Sequence, residues 1–120
     1  MEALWRVKAL RDTIGPLLKV SEIRTIAADD LWLSGSYGRD SVGIHFTWHN
    51  DSAVLEVLPL LDAALYSLGA RPHWGKLFTI APTHIAKMYP QFAAFTQMVR
   101  QWDPEGKFLN SFCKSIFDAI

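Results

Sequence analysis

The sequence has one cysteine, Cys113, among its 120 residues. No internal disulfide and no multi-cysteine zinc site can form, and a lone thiol suits a reducing cytoplasm. Charge of one sign is also missing: twelve Lys and Arg offset twelve Asp and Glu. That balance removes the long-range attraction expected of a nucleic-acid or anionic-membrane binder. The longest apolar stretch, Ala53 to Leu68, is broken by Glu56, Pro59 and Asp62, so it is no membrane span. Met1 to Ala9 carries Glu2, Arg6 and Lys8 and does not read as a signal peptide. There are no repeats and no Gly/Ser linker. What the chain does hold is 50% apolar residues and five tryptophans, enough for one domain with its own core.

Leu4, Val7, Leu10/Arg11 and Ile14 trace one face of a first helix, which Gly15-Pro16 ends. From Lys19 to Ala28 the period changes to two. Val20, Glu22, Arg24 and Ile26 point one way, and Ser21, Ile23, Thr25 and Ala27 the other. Val42 to His49 repeats the pattern, with Val42, Ile44, Phe46 and Trp48 opposed to Gly43, His45, Thr47 and His49. The two strands are expected to form one antiparallel sheet, with Ser34 to Ser41 as loop and the apolar set of the second strand buried. A helix from about Ser52 to Leu68 should cover that face through Leu55, Leu58, Leu61, Leu65 and Leu68, with Asn50, Asp51 and Ser52 as caps. Gly69 suits a left-handed end to it. Leu77 to Ala81 is too short to assign. A last helix from Pro90 carries Phe92, Phe95, Met98/Val99 and Trp102 on one stripe, then a turn at Asp103-Pro104-Glu105-Gly106 and a short helical tail. The fold class is α+β: an antiparallel sheet with helices on one face, plus C-terminal helices.

Glu22 and Arg24 share a strand face, and His45 and Thr47 share one on the second strand. If the strands are neighbours, an acid, a guanidinium, an imidazole and a hydroxyl meet on one patch, which suits a ligand with many hydroxyls. The alternative is a solvated sheet surface. His45 and His49 are four apart, a zinc spacing on a helix, but about 13 Å apart on a strand, so no metal is expected. Arg71 to Lys76 is the densest functional-looking segment. Its Gly75-Lys76 fails as a phosphate loop, because Ala70 stands where the first glycine should be and Leu77 replaces the magnesium-binding hydroxyl. Lys76 reads either as a cation set beside an anionic or electron-rich ring or as a snorkelling surface lysine.

Ser21-Glu22-Ile23-Arg24-Thr25-Ile26-Ala27-Ala28-Asp29-Asp30-Leu31-Trp32-Leu33 resembles a segment of the alditol (xylitol) oxidases. These are FAD-dependent enzymes of the vanillyl-alcohol-oxidase superfamily, close to the D-arabinono-1,4-lactone and L-gulonolactone oxidases. His45-Phe46-Thr47-Trp48, His73-Trp74-Gly75-Lys76 and Asp103-Pro104-Glu105-Gly106-Lys107-Phe108-Leu109-Asn110 follow in the same order. The resemblance implies oxidation of a terminal alcohol to an aldehyde, with dioxygen reduced to hydrogen peroxide. It implies that Glu22, Arg24, His45, Thr47 and Lys76 bind a polyol such as xylitol or sorbitol. Lys76 and Arg24 would carry the catalytic electrostatics, and Lys76 would also touch the flavin. Residues 1–81 would then belong to a substrate-binding cap, and 82–120 would return to the flavin domain. Nothing here resembles the N-terminal flavin-binding domain of that family, so the chain alone is expected to be inactive, to retain no FAD and to self-associate through exposed apolar surface. A non-catalytic small-ligand-binding or dimeric interaction domain is the other reading.

Overall fold

A computed structural model describes residues 1–119. In chain order the elements are α1 (Glu2–Ala9), α2 (Arg11–Ile14), a 3₁₀ turn (Gly15–Leu17), β1 (Leu18–Ile26), β2 (Ser41–Trp48), α3 (Val54–Tyr66), α4 (Pro82–Met88), α5 (Phe92–Trp102) and α6 (Ser111–Phe117). Among the described residues this is a small α+β fold with one antiparallel sheet of two strands. The register opposes Glu22 to His45, Ile23 to Ile44 and Arg24 to Gly43, with a bulge at Lys19 between Leu18 and Val20. The two alternating patterns therefore meet face to face as the sequence implies.

Two small cores share the packing. In the first, Ile14, Val57 and Leu61 are buried against Val7, Leu10, Leu17, Phe46 and Trp48. The apolar end of β2 thus lies under α3, and the rings of Phe46 and Trp48 stack at 5.5 Å. In the second, Ile85, Ala86, Tyr89, Phe92, Ile116 and Phe117 come from α4, α5 and α6 and the turn between α4 and α5, and they recruit Leu33, Trp74, Phe78 and Ile80 from earlier in the chain.

Four expectations need correction. The apolar set of β2 is not buried as expected: Val42 is 57% exposed and Ile44, Phe46 and Trp48 are half-buried like His45 and Thr47, because only Phe46 and Trp48 pack against the cluster that includes α3. The buried stripe of α3 is Val54, Val57, Leu58 and Leu61, whereas Leu55 and Leu68 are exposed. The expected leucine stripe was right at its centre, and the valines complete it at helical spacing. Asp51 accepts from the Ala53 N–H just ahead of α3, so it is the turn before the helix, not the helix N-cap, that uses this carboxylate. Pro90 lies outside α5, which starts at Phe92, and Trp102 at the end of its stripe is 80% exposed. The helix α4 went unread, since seven residues are too few to show a period.

The end of α3 is a Schellman motif, with the Gly69 N–H donating to Tyr66 at 2.9 Å and the Ala70 N–H to Leu65 at 3.4 Å. Gly69 sits at φ +72, and a Cβ there would lie 3.3 Å from an Arg39 guanidinium nitrogen. Gly69→Ala should therefore destabilise the chain by about 1 kcal/mol. A lower urea midpoint at unchanged m-value would show it.

The molecule is elongated, measuring 47 × 31 × 20 Å, with a radius of gyration of 15.8 Å. A compact domain of this length has about 13.6 Å. Its accessible surface of 8073 Å² likewise exceeds the roughly 6,600 Å² expected for its mass. Among the described residues no helix is long and apolar enough to cross a membrane.

Candidate functional site

The register of the sheet decides which side chains can share a ligand. Directly opposed residues point to the same face, so Val20, Glu22, Arg24 and Ile26 stand with Thr47, His45, Gly43 and Ser41. The Glu22 carboxylate accepts from the Arg24 guanidinium and lies 3.7 Å from the His45 Nδ1. Gly43, opposite Arg24, has no side chain to fill the space beside these groups. A Cβ there would come within 3.2 Å of Ile26 Cδ1, which leans over the glycine. Thr47 follows two residues after His45 on the same face, where the sheet passes under α3.

Glu22, Arg24 and His45 remain substantially exposed, at 44%, 71% and 41% of their side-chain surface. Ion pairs in such surroundings contribute at most about 1 kcal/mol, because water competes for both partners. The trio therefore does little to hold the fold together. It is free to exchange its mutual contacts for the hydroxyls of a ligand at small cost, and it offers both donors and acceptors to them.

Lys76 is carried by a different part of the fold. The segment after α3 is anchored by Arg71, whose Nε donates to the Met88 carbonyl at 3.0 Å. One terminal nitrogen of Arg71 faces the carbonyls of Ser34, Gly35 and Tyr37 at 3.2, 3.3 and 3.2 Å. The guanidinium also lies 5.3 Å from the centre of the Tyr89 ring. Burial, followed by repulsion from Arg39, holds Arg71 below its usual range, and burial raises the Tyr89 phenol.

Trp74 is the second anchor. Its indole N–H donates to the Tyr89 hydroxyl at 3.2 Å, and its ring meets Tyr89 and Phe112 edge-on at 5.8 Å. Between them a tight turn closes, as the Lys76 N–H donates to the His73 carbonyl at 2.9 Å and the Gly75 N–H to His73 Nδ1 at 3.0 Å. Lys76 thus projects from a short turn that Arg71 and Trp74 pin to the body. It borders an open cleft of about 410 Å³ with Leu77, Phe78, Thr79, Phe112 and Ser115. Among the described residues its ammonium makes no ion pair and no hydrogen bond, and none joins it to the four sheet residues.

Sequence reasoning singled out the segment Arg71 to Lys76 but missed that Arg71 clasps three carbonyls of the loop before β2. No local pattern reports a contact spanning more than thirty residues. It also missed the groove of about 520 Å³ between α5, α6 and the turn after Trp102, lined by Trp74, Phe95, Val99, Trp102, Phe108 and Phe117. Phe108 is 88% exposed at its rim. Exposed apolar surface was expected around Trp74, Phe78 and the C-terminal helices; Trp74 and Phe78 are half-buried in the second core, and the exposed carriers are Trp102 and Phe108, with Leu77 beside the other cleft.

Residues 4–116 match the family model for D-arabinono-1,4-lactone oxidase. The chain is 44% identical to an alditol oxidase from a Streptomyces species over 120 residues, covering 99% of this chain and 29% of that protein. It is 30% identical over 122 residues to the L-gulonolactone oxidase of Mus musculus, covering 97% of this chain and 28% of that one. The L-gulono-1,4-lactone dehydrogenase of Mycobacterium tuberculosis is 30% identical over 116 residues, covering 96% and 27%. The chain thus spans less than a third of the length of each relative.

Proposed function

The chain belongs to the D-arabinono-1,4-lactone oxidase family, and from that premise we propose that it is the C-terminal, substrate-binding portion of an FAD-dependent sugar-alcohol oxidase. The observation that carries the reading is the cluster of Glu22, Arg24 and His45 on one open sheet face, with Thr47 beside it. A polyol presents alternating donors and acceptors along its length, and this patch does the same. Residues 1–81 would serve as the part of the cap that holds substrate, and 82–120 would return to the flavin domain. The reaction class is oxidation of a terminal alcohol to an aldehyde, with two electrons and two protons passing to dioxygen to give hydrogen peroxide.

In the complete protein the flavin supplies the two-electron chemistry. The residues present fit the ring of such a group rather than its phosphates. Lys76 offers a free ammonium at the mouth of a largely apolar cleft, which suits an electron-rich ring, whereas the described residues hold no glycine-rich phosphate cradle. Arg24, His45 and Thr47 would fix the polyol by its hydroxyls, and Glu22 would accept from it. Lys76, with help from Arg24, would stabilise negative charge as it develops on the alkoxide or the ring. The groove between α5 and α6 supplies apolar surface for the flavin domain to cover. The single free thiol, Cys113, suits a cytoplasmic site of action.

A chimera tests this directly: the 120 residues replace the matching segment of the Streptomyces alditol oxidase. The chimera should bind FAD and release peroxide with xylitol or sorbitol, while the isolated chain should do neither. In that chimera Arg24→Ala should raise KM and lower kcat together, by about tenfold each, because it removes a polyol contact and an electrostatic one. A folded, FAD-loaded chimera without alditol oxidation would favour a binding domain that has lost the redox role.

A further inference from the structure

We infer that His73 is a positioning residue for Lys76, with its ring nitrogen Nδ1 closing the turn that directs the Lys76 ammonium. The inference rests on the oxidase reading, in which that ammonium meets negative charge as it develops. Arg71 and Trp74 hold the turn to the body of the fold. Neither reaches past Trp74, so neither fixes the direction in which Lys76 leaves the turn.

Two observations carry the inference. The first is where the hydrogen bonds of this stretch go. Upstream, Trp74 is tied to Tyr89; downstream, the N–H and hydroxyl of Thr79 both donate to the Asp62 carboxylate. Between those ties, Gly75 to Phe78 make two hydrogen bonds among the described residues, and both end on His73. The Lys76 N–H donates to the His73 carbonyl at 2.9 Å, and the Gly75 N–H to Nδ1 at 3.0 Å. Gly75, Lys76 and Leu77 are exposed, so packing does not set their path. His73 does.

The second observation is the glycine. Gly75 does not stand there for its backbone angle, since the glycines at positive φ are Gly38, Gly69 and Gly106. What matters is its missing Cβ, which would lie 3.2 Å from His73 Cε1 and 3.4 Å from Nδ1. The imidazole lies against the bare α-carbon and so reaches the amide beside it. A backbone N–H only donates, so Nδ1 holds a lone pair and the neutral ring carries its proton on Nε2. His73 is exposed, so the ring is not needed to fill a core. Its bond matters through Lys76 instead, because misplacing a reacting group by about 1 Å can cost about a hundredfold in rate.

The ring is read first in the isolated chain, by long-range proton–nitrogen correlation under mildly alkaline conditions, where imidazole is neutral. The His73 signals, identified by their loss in His73→Leu, should show a bare Nδ1 and a protonated Nε2, and the Gly75 amide should shift in that variant. In the chimera with the flavin domain, His73→Leu fills similar volume without an acceptor. It should lower kcat for xylitol about tenfold, with KM within about threefold. Gly75→Ala should do the same by lifting the ring off the amide. His73→Asn should keep kcat within about threefold, because an asparagine oxygen accepts from the N–H two residues on. An unmodified chimera that oxidises no alditol would overturn the oxidase reading and this inference with it. In an active chimera, full turnover in His73→Leu, or equal losses in His73→Asn and His73→Leu, would overturn this inference alone. So would a proton on Nδ1 in the isolated chain.

Discussion

In the chimera with a flavin domain, Lys76→Ala should lower kcat for xylitol by about a hundredfold or more, with KM changed only a few-fold. A charge placed where negative charge develops contributes far more in the transition state than in the ground state, and removing one such donor costs about 10²–10³ in rate. The structure supports this division of labour. The ammonium of Lys76 has no partner of its own among the described residues, so its removal leaves no buried group unpaired. The turn that carries it is held by Arg71 and Trp74, not by the lysine. Loss of fold is therefore not the expected cause of lost rate. Steady-state kinetics with rapid-mixing measurement of flavin reduction would separate the terms. Unchanged turnover in Lys76→Ala would remove Lys76 from the chemistry and return it to the role of a surface lysine.

Arg71→Met should be the most damaging single change to the structure, lowering stability by about 3 kcal/mol and the melting temperature by about 10 °C or more. The methionine matches the apolar length of the side chain but supplies none of its donors. The carbonyls of Ser34, Gly35, Tyr37 and Met88 would lose their common partner, and the loop before β2 would keep only the Gln91–Tyr37 hydrogen bond and the Leu33 packing as ties to the helical half. Arg71→Lys should recover only part of the loss, because one ammonium cannot serve both the Met88 carbonyl met by Nε and the loop carbonyls met by a terminal nitrogen. Calorimetry would decide the matter. A variant within 1 kcal/mol of the parent would mean that water replaces the arginine at little cost.

Both strands were legible in the sequence because an alternating pattern survives on a sheet whose two faces differ. The alternation placed Glu22 with Arg24 on one strand face and His45 with Thr47 on another, and the register of the folded sheet then set Glu22 against His45. The first helical stretch was legible for the same kind of reason, with Leu4, Val7 and Leu10 half-buried and Ile14 buried in that order, although the chain breaks it at Leu10 into α1 and α2. The short helix α4 was not legible, nor was the true stripe of α3, where leucines outside the core mimic those inside. Hydropathy ranks residues alike wherever they stand, whereas burial depends on where a neighbouring element ends. Val42 illustrates the point, as an apolar strand residue left in water because α3 stops short of it.

The sequence by itself determined the period of the two strands and the longer helices, and with it that Glu22 shares a face with Arg24 and His45 with Thr47. These depend on neighbours two to four positions apart, which local backbone geometry fixes, whereas the family resemblance rests on four segments spread from Ser21 to Asn110. Only the tertiary structure decided that Arg71 clasps a loop more than thirty residues away, that Lys76 stands apart from the sheet patch on its own pinned turn, and that β1 and β2 pair in the register that opposes Glu22 to His45. Those outcomes depend on which distant segments meet, and a chain sets them by packing its whole apolar surface at once rather than by any local run of residues.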